Sequence, residues 1–185
     1  MRLFIAAELP DPIREALAET SAALRDCVHG RFVASDSFHV TLAFLGEVPG
    51  NRVPELQDAL DRACALHRTF SAQLGELGCF GKRTKATLWQ GFRDQAPFAS
   101  LAADVRTQLT RIGFEFDSKP FRPHITLMRA ADLSSGMLPS CCQAKGIISR
   151  ITLFSSDLSG KRPVYTALHT VSLEHCTQDW QTPPE

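Results

Sequence analysis

The composition is that of a folded globular protein without a general affinity for polyanions. The chain has 185 residues, of which 44% are hydrophobic and 22% are charged, as in ordinary globular domains. Its 20 Lys and Arg residues balance 20 Asp and Glu residues, which excludes the excess of basic charge that drives binding along many phosphates. Any contact with nucleic acid must therefore be local.

Local patterns exclude two further classes of protein. No apolar run approaches the about 18 residues that a membrane-spanning helix requires. The six cysteines show neither a CxxC pair nor the Cys/His spacing of a zinc site. We therefore expect a cytoplasmic protein with reduced thiols, without a membrane segment, a metal or a cofactor.

Apolar periodicity predicts alternating strands and helices along the chain. An apolar strand at 3–7 is followed by helical spacing at 12–27 and by a strand with period-two alternation at 38–47. The remaining predicted elements are a helix at 53–67, strands at 70–77 and 86–92, a helix at 98–112, and strands at 121–128, 146–154 and 164–173. The second half of this order echoes the first.

No linker rich in Gly, Ser or Pro separates the two halves. We therefore predict one α+β domain over 1–185, built of two interlocked lobes with antiparallel strands inside and helices outside. The polar segment 177–185 is predicted to be a frayed tail.

A His-x-Thr pattern with an aliphatic residue at x and a leucine after the threonine occurs twice, at His39 with Thr41 and at His124 with Thr126. Side chains alternate across a strand, so each copy presents an imidazole and a hydroxyl on one face. Opening a cyclic phosphodiester with water needs a base, an acid and donors to the phosphoryl oxygens. Two His-x-Thr units supply all three without a metal.

A single histidine in a strand with a threonine two residues later is commonplace and would be structural. Two copies in the same register, with the same apolar alternation, favour a shared catalytic site instead. The other histidines do not stand in this apolar pattern and are predicted to be structural or surface residues: His29, His67, His169 and His175. Ser155 and Ser156 are candidate donors behind the site, and no GxSxG elbow marks a nucleophilic serine.

Longer strings around these motifs resemble the two-histidine phosphoesterase superfamily. They are RLFIA at the start, HVTLAFLG from His39, FRPHITLMR ending at Arg129, and LFSS ending at Ser156 with Tyr165 after it. Within that superfamily the chain resembles the RNA 2',3'-cyclic phosphodiesterases, also called 2'-5' RNA ligase-like proteins, over nearly its whole length.

The resemblance implies a bilobal fold with pseudo-twofold symmetry, in which the two motifs face each other across a central groove. It implies hydrolysis of RNA 2',3'-cyclic phosphate ends to 2'-phosphomonoesters, with reversible 2',5' ligation as a second activity. By motif, His39 would be the proton donor to O3', His124 the proton acceptor from water, and Thr41 and Thr126 the groups that hold phosphoryl oxygens. The residues alone leave the acid and base assignment open.

The resemblance also implies that Phe44 and Arg129, each five residues after a motif histidine, flank the terminal nucleobase by stacking and cation–π contact. Strand alternation opposes this, because an odd offset predicts the face opposite the histidines. A core Phe44 and a solvated Arg129 are the alternative, unless a bulge near Gly46 turns the strand ends.

Basic residues cluster around one strand and before the second motif, where they could either guide RNA phosphates or form solvated turns. They are Lys82, Arg83, Lys85 and Arg93, with Trp89 among them, and Lys119 and Arg122.

The sequence thus predicts a monomeric RNA 2',3'-cyclic phosphodiesterase whose partners are RNA ends or cyclic nucleotides. Two alternatives remain open: a phosphodiesterase for another cyclic or 2',5'-linked nucleotide, and a non-catalytic module that binds nucleotide ends.

Overall fold

The computed structural model describes residues 1–117, 119–134, 136, 138–160 and 162–174. The strands in these ranges are β1 (Arg2–Glu8), β2 (His29–Phe32), β3 (His39–Glu47), β4 (Phe70–Phe80), β5 (Ala86–Phe92), β6 (His124–Asp132), β7 (Lys145–Ile148), β8 (Arg150–Asp157) and β9 (Val164–Ser172). The helices are α1 (Asp11–Arg25), α2 (Val53–Cys64) and α3 (Ala96–Arg111). The tail predicted at 177–185 lies outside the described residues.

Two antiparallel sheets organise the chain. One has the strand order β3-β1-β8-β9 and the other β2-β6-β5-β4-β7. Each sheet contains the same unit, a motif strand followed by two antiparallel neighbours, β3-β1-β8 in the first and β6-β5-β4 in the second. The predicted α+β fold with antiparallel sheets and internal pseudo-symmetry is confirmed.

The helices contribute their apolar faces to the core. Ile13, Leu17 and Leu24 of α1 recur at helical spacing and are fully buried, and α2 and α3 bury equivalent faces. One hydrophobic cluster includes residues of both sheets and all three helices, which is why no linker separates the lobes. None of the helices in the described ranges is long and apolar enough to cross a membrane.

The prediction of one continuous strand at 146–154 is wrong, because this segment forms two strands. The chain leaves β7 at Ile148 and enters β8 at Arg150, and these strands belong to different sheets. β7 pairs with β4, whereas β8 pairs with β1 and β9. Ile148 and Ile151 are both fully buried, so the apolar pattern runs on across the change of sheet and conceals it.

Other boundaries differ for local reasons. The strand predicted to begin at 121 begins at His124, because Pro120 and Pro123 have no N–H to donate to a ladder. The sequence did not predict β2, a short strand at the sheet edge that carries Gly30 and is exposed over most of its length. The helix ends differ from prediction by a few residues, as frayed ends commonly do.

Candidate active site

The two motif strands, β3 and β6, contact each other although they belong to different sheets. On β3 the side chains of Val40 and Leu42 are fully buried, and on β6 those of Ile125 and Leu127 are as well. The motif histidines and threonines point the other way, onto what we call the groove face of each sheet. Because these strands are in contact and the imidazole of His124 contributes to the lowered pKa of His39, the two motifs are neighbours in the fold.

Both imidazoles are held in the same orientation. The Nδ1 atom of His39 lies 2.8 Å from the carbonyl oxygen of Ser37, and Nδ1 of His124 lies 2.7 Å from that of Arg122. A carbonyl only accepts, so each Nδ1 carries the proton and each neutral ring presents an unprotonated Nε2. The Nε2 atom of His39 lies 3.0 Å from Oγ1 of Thr41, whose hydroxyl donates to it.

The environment favours neutral imidazoles in the free protein. The pKa of His39 is lowered to about 4, chiefly by burial. The Ser37 carbonyl opposes this shift, and the nearby charges of Arg129, His124 and Arg14 add to it. Burial also lowers the pKa of His124. The positive charge of Arg129 contributes to lowering the pKa of both rings, so its guanidinium is near both of them.

A β-bulge in β3 decides where the end of this strand points. In the ladder with β1, Thr41 lies opposite Ala6, but Ala43 lies opposite Ile5, so Leu42 is an extra residue on β3. Leu42 and Ala43 are consecutive and both buried. The alternation therefore shifts by one residue after the motif.

The same irregularity recurs in β6. There Thr126 lies opposite Trp89, but Met128 lies opposite Leu88, so Leu127 is the extra residue. Leu127 and Met128 are both fully buried. The bulge stands at the same offset from its histidine as in β3, so the pseudo-symmetry extends to this departure from regular strand geometry.

The carbonyl groups of both bulged residues are satisfied from outside the ladder. The Leu42 carbonyl accepts a hydrogen bond from Nε of Arg106 at 3.3 Å, and the Leu127 carbonyl accepts one from the backbone N–H of Val33 at 2.9 Å. These bonds compensate the backbone groups that a bulge removes from pairing.

Because of the bulges, Phe44 and Arg129 lie on the groove face, and the alternation argument against them is wrong. Phe44 is opposite Phe4, whose ring is 4.9 Å from that of His39. The guanidinium of Arg2 lies over the Phe44 ring, 4.7 Å from its centroid. A second register shift, at Leu45, lies beside Gly46, where the sequence allowed for a bulge, but the bulge at Leu42 stands between His39 and Phe44 and sets the face of Phe44.

An aromatic wall surrounds each histidine. Phe4 packs between His39 and Phe154, and Tyr165 meets both Phe4 and His39 edge-on, with ring centroids 5.0 and 5.5 Å away. These rings remove water from His39, which is the main reason for its lowered pKa.

On the second sheet, Trp89 supports His124. Its ring centroid is 5.9 Å from that of His124, and the Arg122 guanidinium lies over the Trp89 ring, 4.8 Å from its centroid. A Cβ on Gly78 would come within 2.3 Å of the indole, so only glycine leaves room for it. Sequence reasoning assigned no role to Gly78, and a glycine opposite a tryptophan in the next strand is the signal that was missed.

Three other residues that the sequence suggested as phosphate contacts or as donors behind the site bind groups of the protein itself. The Arg83 side chain donates to the carbonyl of Leu133, and Lys119 pairs with Asp117. The Ser155 hydroxyl donates to the carbonyl of Thr166.

In the described part of the chain, the histidines outside the motifs do not form a second pair of facing imidazoles. His67 pairs with Asp104 and His169 with Asp61, His29 is exposed on β2, and His175 lies outside the described residues. No group of three or more His, Cys, Asp or Glu side chains able to hold a metal ion occurs among the residues that the structure describes.

Comparisons with known proteins agree on the family. The family model of the 2'-5' RNA ligase superfamily matches residues 7–144. An RNA 2',3'-cyclic phosphodiesterase of Thermus thermophilus is 32% identical over 193 residues, which cover 100% of this chain and 98% of that protein. One of Geobacillus stearothermophilus is 36% identical over 128 residues, which cover 68% of this chain but 41% of that longer protein.

The fold has the same relatives. The crystal structure of the Thermus thermophilus protein TT0787 superposes with a TM-score of 0.80 at 30% identity, covering 95% of this chain and 99% of that one. Family model, sequence and fold point the same way, and the chain belongs to the 2'-5' RNA ligase superfamily.

Proposed function

We propose that this protein hydrolyses RNA 2',3'-cyclic phosphate ends to 2'-phosphomonoesters by general acid–base catalysis. The observation that carries the proposal is the matched pair of imidazoles, each with Nδ1 fixed on the carbonyl two residues earlier and Nε2 facing one groove. The names of the relatives, which are RNA 2',3'-cyclic phosphodiesterases, support the substrate class.

In the proposed reaction, His124 accepts a proton from water as the water oxygen attacks phosphorus. The bond from phosphorus to O3' breaks, and O3' takes a proton from His39, which leaves a 3'-hydroxyl and a 2'-phosphomonoester. Replacing water by the 5'-hydroxyl of a second RNA gives a 2',5' linkage through the same proton transfers, which is the ligation that the superfamily name describes. Thr41 and Thr126 donate to phosphoryl oxygens.

The hydrogen bond between Thr41 and His39 supports the assignment of His39 as the donor. With His39 neutral, the Thr41 hydroxyl is occupied by Nε2. Protonation turns Nε2 into a donor, which frees the Thr41 hydroxyl for a phosphoryl oxygen. The anionic substrate raises the lowered pKa of His39, so the acid is charged as the phosphate arrives.

The Nε2 of His124 is suited to the other role. It makes no hydrogen bond within the described residues, so its lone pair is available to a water molecule. Phe44 and Arg129 flank the terminal base in this proposal, supported by their place on the groove face.

The test uses an RNA oligonucleotide that ends in a 2',3'-cyclic phosphate, with and without EDTA, and separates 2'-phosphate from 3'-phosphate products. We expect 2'-phosphate in both conditions. Substitution of His39 or His124 by Gln should lower kcat/KM about 10²–10⁴-fold. His169→Gln is the control and should leave kcat/KM unchanged, because His169 pairs with Asp61 and belongs to neither motif. Formation of 3'-phosphate, or activity restored only by a metal, would contradict the mechanism.

The two alternatives give different outcomes. A phosphodiesterase for another cyclic or 2',5'-linked nucleotide would leave the oligonucleotide intact and cleave that ester. A binding module would retain the oligonucleotide without turnover, and its affinity would survive replacement of either histidine.

A further inference from the structure

We infer that the second sheet carries a separate subsite for the nucleotide that precedes the cyclic-phosphate terminus, with Phe80 as its stacking platform and Lys82 and Lys85 as its phosphate contacts. This inference rests on the proposed function and adds to it a preference for RNA chains over cyclic mononucleotides.

Phe80 is an exposed aromatic ring inside the site. It is 38% exposed, and no other Phe, Trp or Tyr side chain in the described ranges is exposed to that extent. Its ring meets His124 edge-on with centroids 4.9 Å apart, and it packs on Trp89 at 5.1 Å. Burying such a ring would stabilise the fold, so its exposure beside the reacting groups points to a ligand.

The platform is distinct from the position of the terminal base. Phe80 lies opposite Thr87 of β5, and β5 separates β4 from β6, the strand that carries Arg129. Neighbouring strands are about 4.8 Å apart, which places the Phe80 backbone about 10 Å from β6. A base held beside Arg129 leaves the Phe80 ring free for the adjoining nucleotide.

The basic side chains beside Phe80 are suited to contact the phosphates of a nucleic-acid backbone. Phe80 leads through Gly81, with φ +84°, into a turn that exposes Lys82 and Lys85. Arg83 between them is held by the Leu133 carbonyl and shapes the turn. In a chain with a formal net charge of zero, this turn concentrates basic charge next to an exposed ring. Basic side chains that track phosphates, with aromatic rings that stack bases, are the usual means of binding single strands.

The experiment compares kcat/KM on a short RNA ending in 2',3'-cyclic phosphate with kcat/KM on adenosine 2',3'-cyclic phosphate, and takes their ratio. We expect wild type to prefer the RNA. Phe80→Ala should lower the ratio about 5–150-fold, the range for loss of one stacked base, and Phe80→Trp should retain it. Lys82→Ala with Lys85→Ala should lower the ratio and weaken its dependence on salt.

The ratio of the two kcat/KM values distinguishes loss of RNA binding at Phe80 from damage to the site around His124, because a displaced His124 would lower kcat/KM equally on both substrates. Ile147→Ala, on the same sheet and 50% exposed, is the matched control and should leave the ratio unchanged. Equal losses on both substrates in Phe80→Ala, or no preference for RNA in wild type, would overturn the subsite while leaving the proposed function intact. A wild-type protein that hydrolyses neither substrate would refute both.

Discussion

Replacing His39 by Gln should make the protein less sensitive to acid, because the native fold holds this imidazole neutral. Burial lowers the pKa of His39 from 6.5 to about 4. Between these values the unfolded chain binds a proton that the native state rejects, so the stabilisation is present above pH 6.5 and is lost as the pH falls toward 4. At 1.36 kcal/mol for each pKa unit, the loss amounts to about 3 kcal/mol at pH 4.

The assay is urea unfolding of wild type and His39→Gln at several values between pH 7 and pH 4. Other groups also titrate in this range, but they are common to both proteins, so the measured quantity is the difference in unfolding free energy between the two. We expect that difference to move by about 3 kcal/mol in favour of the variant from pH 7 to pH 4. His29→Gln is the control, because it makes the same substitution at a histidine that is exposed on β2. A constant difference across the range would refute the claim that burial keeps His39 neutral.

Three further predictions concern the phosphate contacts, the support of the second histidine and the shared guanidinium. Thr41→Val and Thr126→Val each remove a donor to an anionic group worth about 1–3 kcal/mol, so kcat/KM should fall about 5–150-fold, while Ser at either position should retain most of it. Gly78→Ala places a Cβ 2.3 Å from the indole ring of Trp89 and should cost about 1–3 kcal/mol of stability in urea and reduce kcat. Gly50→Ala should do neither, because its Cβ would meet only the side chain of Met1, at 4.0 Å. Arg129→Gln removes a charge that lowers the pKa of both motif histidines, so the bell-shaped pH profile of kcat/KM expected of an acid–base pair should move to higher pH, and Arg129→Lys should keep it in place. An unmoved profile in the Gln variant would contradict the effect of this charge on the two histidines.

The sequence was sufficient for the motif strands, because alternation depends only on neighbouring residues. Val40 and Leu42 are buried as predicted, and so are Ile125 and Leu127. The repetition of one register also predicted that the two motifs share a site. The change of partner between β7 and β8 could not be predicted, since pairing depends on distant strands and the buried pattern continues across it.

The sequence itself contains a signal for the two bulges. After each threonine the sequence places two apolar residues in succession, Leu42 with Ala43 and Leu127 with Met128, and both members of each pair are buried. Strict alternation allows only one of two consecutive residues into the core, so the doublets themselves indicated an extra residue. Extending regular alternation through them put Phe44 and Arg129 on the wrong face.

In the proposed mechanism, the bulge in β6 links protonation of the two histidines to the binding of substrate. It brings Arg129 near both imidazoles, where the guanidinium disfavours their charged forms in the free protein. An anionic phosphate in the groove offsets that positive charge and attracts a proton to one ring, so the acid required for O3' forms together with the bound substrate. The optimum of kcat/KM, which reports the free protein, should therefore lie at lower pH than the optimum of kcat, which reports the complex. Coincident optima would mean that the phosphate does not raise the pKa of either histidine, and the acid would then have to come from another group.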